Sequence, residues 1–216
     1  MNLFENPVVQ AIGRIADFII LNLLWILCSI PIITFGASTT ALYAVMLKLV
    51  KNEEGYIAKG FLKAFRENFR QSTLIWLIFL AVGFVLAMDF SALKLMPLQM
   101  AAFMQILFLI MACLVVCAAV YAFALQARFV NTVKNTLKNA VILVFARLPY
   151  TVLILALIVV PVIITFLSER TMLMGFMIWL FVGVAVVTWL QSFLLRHIFK
   201  KLEEPVSAED VESREE

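Results

Sequence analysis

Residues 95–127 read LMPLQMAAFMQILFLIMACLVVCAAVYAFALQA, a run of 33 positions without a charged side chain. A membrane-spanning helix needs roughly 17–25 apolar residues, so this run is long enough for one span. A transmembrane β-barrel would show segments of about ten residues with alternating polarity, and the run does not alternate. The stretch therefore predicts a helix that crosses a membrane.

Four further uncharged stretches flank this run, at residues 18–47, 71–88, 148–168 and 171–195. The 216-residue chain is 64% apolar and only 14% charged, with a mean hydropathy of +1.05. That composition excludes a soluble globular domain. We predict an all-α membrane protein, a helical bundle of five transmembrane helices in a single domain at residues 1–202. The predicted spans cover about 15–36, 71–90, 100–125, 148–168 and 171–195.

The first stretch leaves a second arrangement open, because Pro31 and Gly36 interrupt it. If residues 15–50 fold as a hairpin, the bundle has six spans. Two crossings of ~30 Å at ~1.5 Å per residue need about 40 residues, whereas this segment offers 36. We therefore favour five spans, with residues 37–50 continuing into the cytoplasmic interface and a partly re-entrant course as the fallback.

The basic residues orient the chain. Fourteen of the 17 lie in residues 36–71, in residues 126–147 or in the tail from residue 196. The other three are Arg14, Lys94 and Arg170. The positive-inside rule then predicts a multi-pass protein of the cell membrane with a cytoplasmic carboxyl terminus and, for five spans, an external amino terminus. A hairpin would move Arg14 inside. Residues 203–216 are strongly acidic and are predicted to form a disordered cytoplasmic tail.

Two segments between the spans have an amphipathic pattern that predicts cytoplasmic elbow helices. In residues 57–70 an apolar row at four-residue intervals opposes a basic row. We expect the apolar row at the acyl boundary and the basic row against anionic headgroups or a partner, the alternative being an elbow that only turns the chain. The apolar row is Ile57, Phe61, Phe65 and Phe69, and the basic row is Lys59, Lys63, Arg66 and Arg70. A second apolar row precedes the fourth span, at Val133, Leu137, Val141 and Phe145.

The polar cluster inside the first stretch is PIITFGASTTALY, residues 31–43. Pro31 breaks or kinks a helix, and Gly36 permits a bend or a close approach of two backbones. The hydroxyls that follow can cap the amides of a new helix. The cluster is either a structural kink or a contact site for a small molecule or ion, formed by Pro31, Gly36, Ser38, Thr39, Thr40 and Tyr43. Three other polar residues in the spans are expected to hydrogen-bond between helices, namely Asn22, Gln105 and Gln191.

Motifs for chemistry are missing from the sequence. It has no Gly-rich phosphate loop, no H-E-x-x-H and no G-x-S-x-G. The single histidine, His197, and the three cysteines lack further metal ligands beside them. We therefore predict no catalytic, cofactor-binding or metal-binding residue, no nucleic-acid partner and no enzymatic activity, and leave the oligomeric state open. The alternative to an accessory protein is a small-solute transporter or channel with its path near the Pro31–Gly36 kink.

Three motifs resemble those of a known family. They are NLLW at 22–25, PIITFGASTTALY at 31–43, and EGY at 54–56 followed by FLKAFRENF at 61–69. This part of the chain resembles the YesL family, small membrane proteins of Gram-positive bacteria with a domain of unknown function. Members of that family are often encoded beside carbohydrate-uptake ABC transporters. The resemblance therefore implies an accessory role in saccharide uptake or its regulation, with ABC-transporter permease subunits as partners.

Overall fold

The computed structural model describes residues 7–51, 53, 55–95 and 97–203, and all regular structure in these residues is helical. Its helices are α1 Pro7–Ser29, α2 Phe35–Leu49, α3 Ile57–Ala92, α4 Leu98–Arg128, α5 Val133–Ala146, α6 Leu148–Thr165, α7 Glu169–Ile178 and α8 Val184–Glu203. A π-helical turn at Trp179–Gly183 joins α7 to α8. Except for Glu203, the predicted acidic tail lies outside the described residues.

Six helical stretches in the described residues are long and apolar enough to cross a membrane. They cover residues 12–29, 32–49, 57–92, 99–128, 148–165 and 169–200. The chain is therefore a multi-pass helical membrane protein. The second of these stretches, centred on α2, is the most buried, because other helices surround it.

The helices α1 and α2 form a hairpin around a turn at residues 30–34. The Trp25 indole nitrogen donates to Thr39 Oγ1 at 3.1 Å, and the hydroxyl oxygens of Ser29 and Ser38 lie 2.6 Å apart. Residues 15–36 therefore do not form one continuous helix, and the structure has the hairpin of the alternative arrangement. The residue count failed because α1 begins at Pro7 and includes the charged residues Arg14 and Asp17. Residues 7–49 supply 43 positions rather than 36.

The helix α1 runs antiparallel to α8. The rings of Phe18 and Trp189 lie 5.6 Å apart, and Asn22 contacts Ala185, which is closer to the start of α8. Near the other end of α8, the Arg196 guanidinium donates to the Val50 carbonyl at 2.9 Å. The start of α1 and the end of α8 therefore lie at one end of the bundle, as the hairpin alternative predicts for Arg14. We call this end, which carries Lys48, Lys51, Arg66, Arg70, Arg128 and Arg196, the basic end.

The first predicted elbow, residues 57–70, is not a separate helix. It is the first part of α3, which continues without a break to Ala92 because no proline interrupts the sequence. Its apolar row packs against the protein, since Phe61 is fully buried and Phe65 half-buried, while Phe69 is 37% exposed. The expectation that this row lies at the acyl boundary is wrong for Phe61, which packs in the core with residues of α1 and α2.

The second predicted elbow is a separate helix, α5. It ends at Ala146, and Arg147 leaves helical geometry with φ −127° and ψ 45° before α6 begins. The predicted row is divided in the structure, because Val141 and Phe145 are exposed. The buried side of α5 is formed instead by Thr136, Ala140, Leu143 and Val144.

The α1–α2 hairpin is shorter than the α3–α4 pair. Its turn reaches α3 at Trp76, whose indole nitrogen donates to the Ile32 carbonyl at 2.7 Å. The helix α3 continues for 16 further residues, or about 24 Å. The main core lies on the near side of this level and includes Tyr43, Ile75, Tyr121, Leu195 and Phe199. Beyond it, the far part of α3 and the start of α4 expose most of their apolar side chains.

Candidate functional site

The hydroxyls of the predicted kink bond to nearby groups in the hairpin. The Ser38 and Thr39 hydroxyls both donate to the Phe35 carbonyl, at 2.9 and 2.8 Å. They are therefore donors within α2 and not the amide caps that we expected. The residue at the cap position, Thr34, makes no cap bond and donates instead to the Cys28 carbonyl at 2.6 Å. These bonds stabilise the turn and occupy the hydroxyls of Thr34, Ser38 and Thr39.

Gly36 lies at a close approach of α2 to α3. A Cβ atom at this position would lie 2.5 Å from the Ser72 carbonyl oxygen and 2.5 Å from Trp76 Cβ. It would also lie 3.1 Å from Phe123 of α4. No side chain fits there without a shift of backbone, so Gly36 permits three helices to pack together.

The remaining kink residues do not form one site. Pro31 is exposed at the turn, whereas Thr40 and Tyr43 are buried. The Tyr43 hydroxyl donates to the Gln191 Oε1 atom of α8. The Thr40 hydroxyl and the Gln191 Nε2 group have no hydrogen-bond partner among the described residues. The geometry thus divides the six candidates between the turn and the interior.

Aromatic rings fill the space around the turn. The Phe35 ring lies 5.4 Å from that of Trp25 and 4.5 Å from that of Trp76. Trp76 in turn lies 6.4 Å from Phe123. This packing gives no support to a solute path at the kink.

Asn22 of α1 hydrogen-bonds to the π-helical turn between α7 and α8 and to the start of α8. Its Nδ2 group donates to the carbonyls of Trp179 and Leu180 at 3.0 and 2.8 Å, and its Oδ1 atom accepts from the Ala185 amide at 3.0 Å. A π turn disturbs the regular backbone hydrogen bonds of a helix, and Asn22 offers partners to carbonyl and amide groups in and beside this turn. Interhelical hydrogen bonds are thus confirmed for Asn22 and Gln191. Gln105 is exposed and makes none with the residues that the structure describes.

The four cations of the predicted basic row separate into two pairs. The Lys63 Nζ atom lies 3.9 Å from Glu67 Oε1, and the Lys59 Nζ atom lies 4.8 Å from the centre of the Tyr56 ring. These two lysines border the α2–α3 loop. Arg66 and Arg70 instead line a separate depression between α3 and the end of α4. The four cations therefore do not form the one continuous row that we predicted.

The depression lined by Arg66 and Arg70 is an open cleft of about 820 Å³ at the basic end, which we call the basic cleft. Residues 65–71 of α3 form one wall and residues 126–130, from the end of α4 onward, form the other. Gln126, only 5% exposed, donates from Nε2 to Gln71 Oε1 at 2.6 Å. Its own Oε1 accepts from the Thr136 hydroxyl of α5 at 3.3 Å. The sequence contained one signal for this cleft: an amide residue lies close to an arginine where one uncharged stretch begins, at Gln71, and where another ends, at Gln126 and Ala127.

The outer part of α3 carries a second feature that hydropathy did not reveal. From Ala81 to Ala92 every residue is exposed except Leu86, which is half-buried. Gly83, Ala87 and Ser91 follow one another at four-residue intervals and so share one face of the helix. A Cβ atom at Gly83 would meet nothing within 4 Å. Small residues at this spacing allow the backbones of membrane helices to approach closely.

Most of α1, all of α2 and most of α3 belong to the region that a known family covers. Residues 18–90 match the family described as Protein of unknown function, DUF624. YesL-like proteins belong to this family, so the match confirms the resemblance in the sequence. The DUF624 region contains the hairpin turn, the α3 wall of the basic cleft and most of the exposed outer part of α3. No curated protein and no solved structure matches the chain.

Proposed function

We propose that this chain is a non-enzymatic accessory protein of the cell membrane that binds the permease subunits of a carbohydrate ABC transporter. The observation that carries the proposal is the exposed outer part of α3, most of which lies in the DUF624 region. The partner class comes from the resemblance, because YesL-like proteins are often encoded beside such transporters.

The physical argument starts from the surroundings of α3. Lipid tails are as apolar as leucine, so an exposed apolar helix face does not by itself favour a protein partner. A row of small residues does, because it lets a second helix approach closely and gain van der Waals contact. The row Gly83, Ala87 and Ser91 is exposed, and no described side chain covers Gly83. A transmembrane helix of the partner would pack along this row.

The charge distribution orients this contact in the membrane. By the positive-inside rule the basic end lies in the cytoplasm, so both ends of the described chain are cytoplasmic. The α3–α4 turn is then external, and the row from Gly83 to Ser91 lies in the outer half of the bilayer. The partner's contact is therefore made within the membrane rather than through the cytoplasmic loops.

Affinity capture of the tagged chain from native membranes, followed by mass spectrometry, tests the proposal. Gly83→Leu places a branched side chain in the row, and we expect it to reduce recovery of permease subunits by about tenfold. Val85→Leu is the matched control, because Val85 is also exposed on the same helix but lies off the row. This variant should recover the permease as the unsubstituted chain does.

Three results would contradict the proposal. The unsubstituted chain could recover no carbohydrate permease subunits, or the two variants could recover them equally well. Saccharide flux by the purified chain in liposomes would favour the transporter alternative instead. Neither variant should have a lower unfolding temperature in detergent than the unsubstituted chain, since neither position contacts the core.

A further inference from the structure

We propose that the basic cleft binds a phosphate group, held by Arg66 and Arg70. Anionic phospholipid headgroups and soluble phosphate share this chemistry. The inference is independent of the permease contact, which involves the other end of α3.

The first support is an imbalance of charge in the cleft. Arg66 and Arg70 lie one helical turn apart, and like charges at this spacing destabilise a helix unless they have a counter-charge. The carboxylate that lines the cleft belongs to Glu67, and its Oε1 atom lies 3.9 Å from Lys63, a residue outside the lining. Among the residues that the structure describes, neither arginine forms an ion pair with a carboxylate. Two arginines therefore line the same cleft without an ion pair to a described carboxylate.

The second support is the direction of the hydrogen bonds beneath the arginines. Thr136 donates to Gln126, and Gln126 donates to the Oε1 atom of Gln71. Because the carbonyl oxygen of Gln71 is already an acceptor, the other end of this amide is its NH₂ group, which can only donate. Asn68 fixes this order, because its Nδ2 donates to the Ala64 carbonyl at 3.0 Å and its Oδ1 accepts from Gln126 Nε2 at 3.4 Å. The network thus adds a donor beside Arg66 and Arg70, and a phosphate group offers only acceptors when ionised.

The third support is the position of the cleft along the helices, at the end of an apolar span. The uncharged stretch of α4 ends at Ala127, and both Gln126 and Ala127 line the cleft. The partly exposed ring of Phe69 also lines it. Apolar and basic groups meet in this way at the level of lipid headgroups, where arginine side chains reach the phosphates. The position therefore suits an anionic headgroup as the source of the phosphate.

Lipid titration of the purified full chain in detergent, read by native mass spectrometry, tests the inference. We expect phosphatidylglycerol to bind more tightly than phosphatidylcholine. The double variant Arg66→Gln, Arg70→Gln should weaken phosphatidylglycerol binding by about tenfold or more. The control Lys59→Gln, Lys63→Gln removes the same charge from the same helix but outside the cleft, and it should change binding less than about twofold.

Inorganic phosphate in the same titration identifies the source. If phosphate displaces phosphatidylglycerol from the unsubstituted chain and binds in an Arg66- and Arg70-dependent manner, the site serves soluble phosphate. If millimolar phosphate has no effect, the headgroup is the ligand. Equal weakening in the two double variants, or equal affinity for the two lipids, would overturn the inference. If the double variant unfolds, Arg70→Gln alone provides the same comparison with Lys63→Gln.

Discussion

Gly36 is the residue where the addition of one atom should affect the hairpin most. In Gly36→Ala the new Cβ atom would lie 2.5 Å from the Ser72 carbonyl oxygen, so backbone must move. We expect the free energy of unfolding in mixed micelles to fall by about 1–3 kcal/mol, the usual range for overpacking. The control is Gly13→Ala in α1, where a Cβ atom meets nothing within 4 Å. This variant should gain roughly 0.5–1 kcal/mol from reduced backbone freedom. Equal effects of the two substitutions would contradict the close approach.

The sequence revealed the importance of Gly36 but not its partners. A glycine shortly after a proline in an apolar stretch indicates a bend or a close approach, and the structure shows the approach. The contacting atoms belong to Ser72 and Trp76, more than 30 positions later, and no local pattern connects them. The roles of Ser38 and Thr39 were also undetermined, because a hydroxyl can accept from an amide at a cap or donate to a carbonyl one turn earlier.

At the scale of elements, the contact of α1 with the π turn depends on Asn22. Asn22→Ala removes three hydrogen bonds, two to the half-buried carbonyls of Trp179 and Leu180 and one from the buried Ala185 amide. We expect a loss of about 2–3 kcal/mol in the free energy of unfolding. The control Gln105→Ala, at an exposed position, should stay within about 0.5 kcal/mol of the unsubstituted chain. A similar loss in both variants would show that Asn22 has no special role in joining these helices.

The sequence predicted the helical elements well and their ends poorly. Each of the five uncharged stretches is largely helical, because hydrocarbon leaves backbone groups no partner outside the segment. The ends were taken at charged residues, yet Arg14, Arg66 and Arg70 lie inside continuous helices. A charge marks the edge of the apolar layer, and a helix can continue past that edge into water. The predicted elbow at residues 57–70 failed for this reason.

At the scale of the whole molecule, charge counting could not decide between one span and a hairpin in residues 15–50. The basic residues divide fourteen to three with five spans, and moving Arg14 inside only changes this to fifteen to two. The decision rests on contacts between distant helices, such as Phe18 with Trp189 and Asn22 with Ala185. The basic cleft was equally hidden, because it joins residues 65–71 to residues 126–130.

The hairpin that returns the chain to the basic end is the central feature of this structure, and the side of the membrane on which α1 begins tests it. Ile12→Cys provides a label site at a 62% exposed position of α1, after Cys28, Cys113 and Cys117 are replaced by Ala. Lys94→Cys, exposed near the α3–α4 turn, is the external control.

A membrane-impermeant maleimide applied to intact cells should label the Lys94→Cys chain and leave the Ile12→Cys chain unlabelled until the membrane is permeabilised. Labelling of both in intact cells would place the start of α1 outside. That result would contradict the hairpin and restore the five-span arrangement.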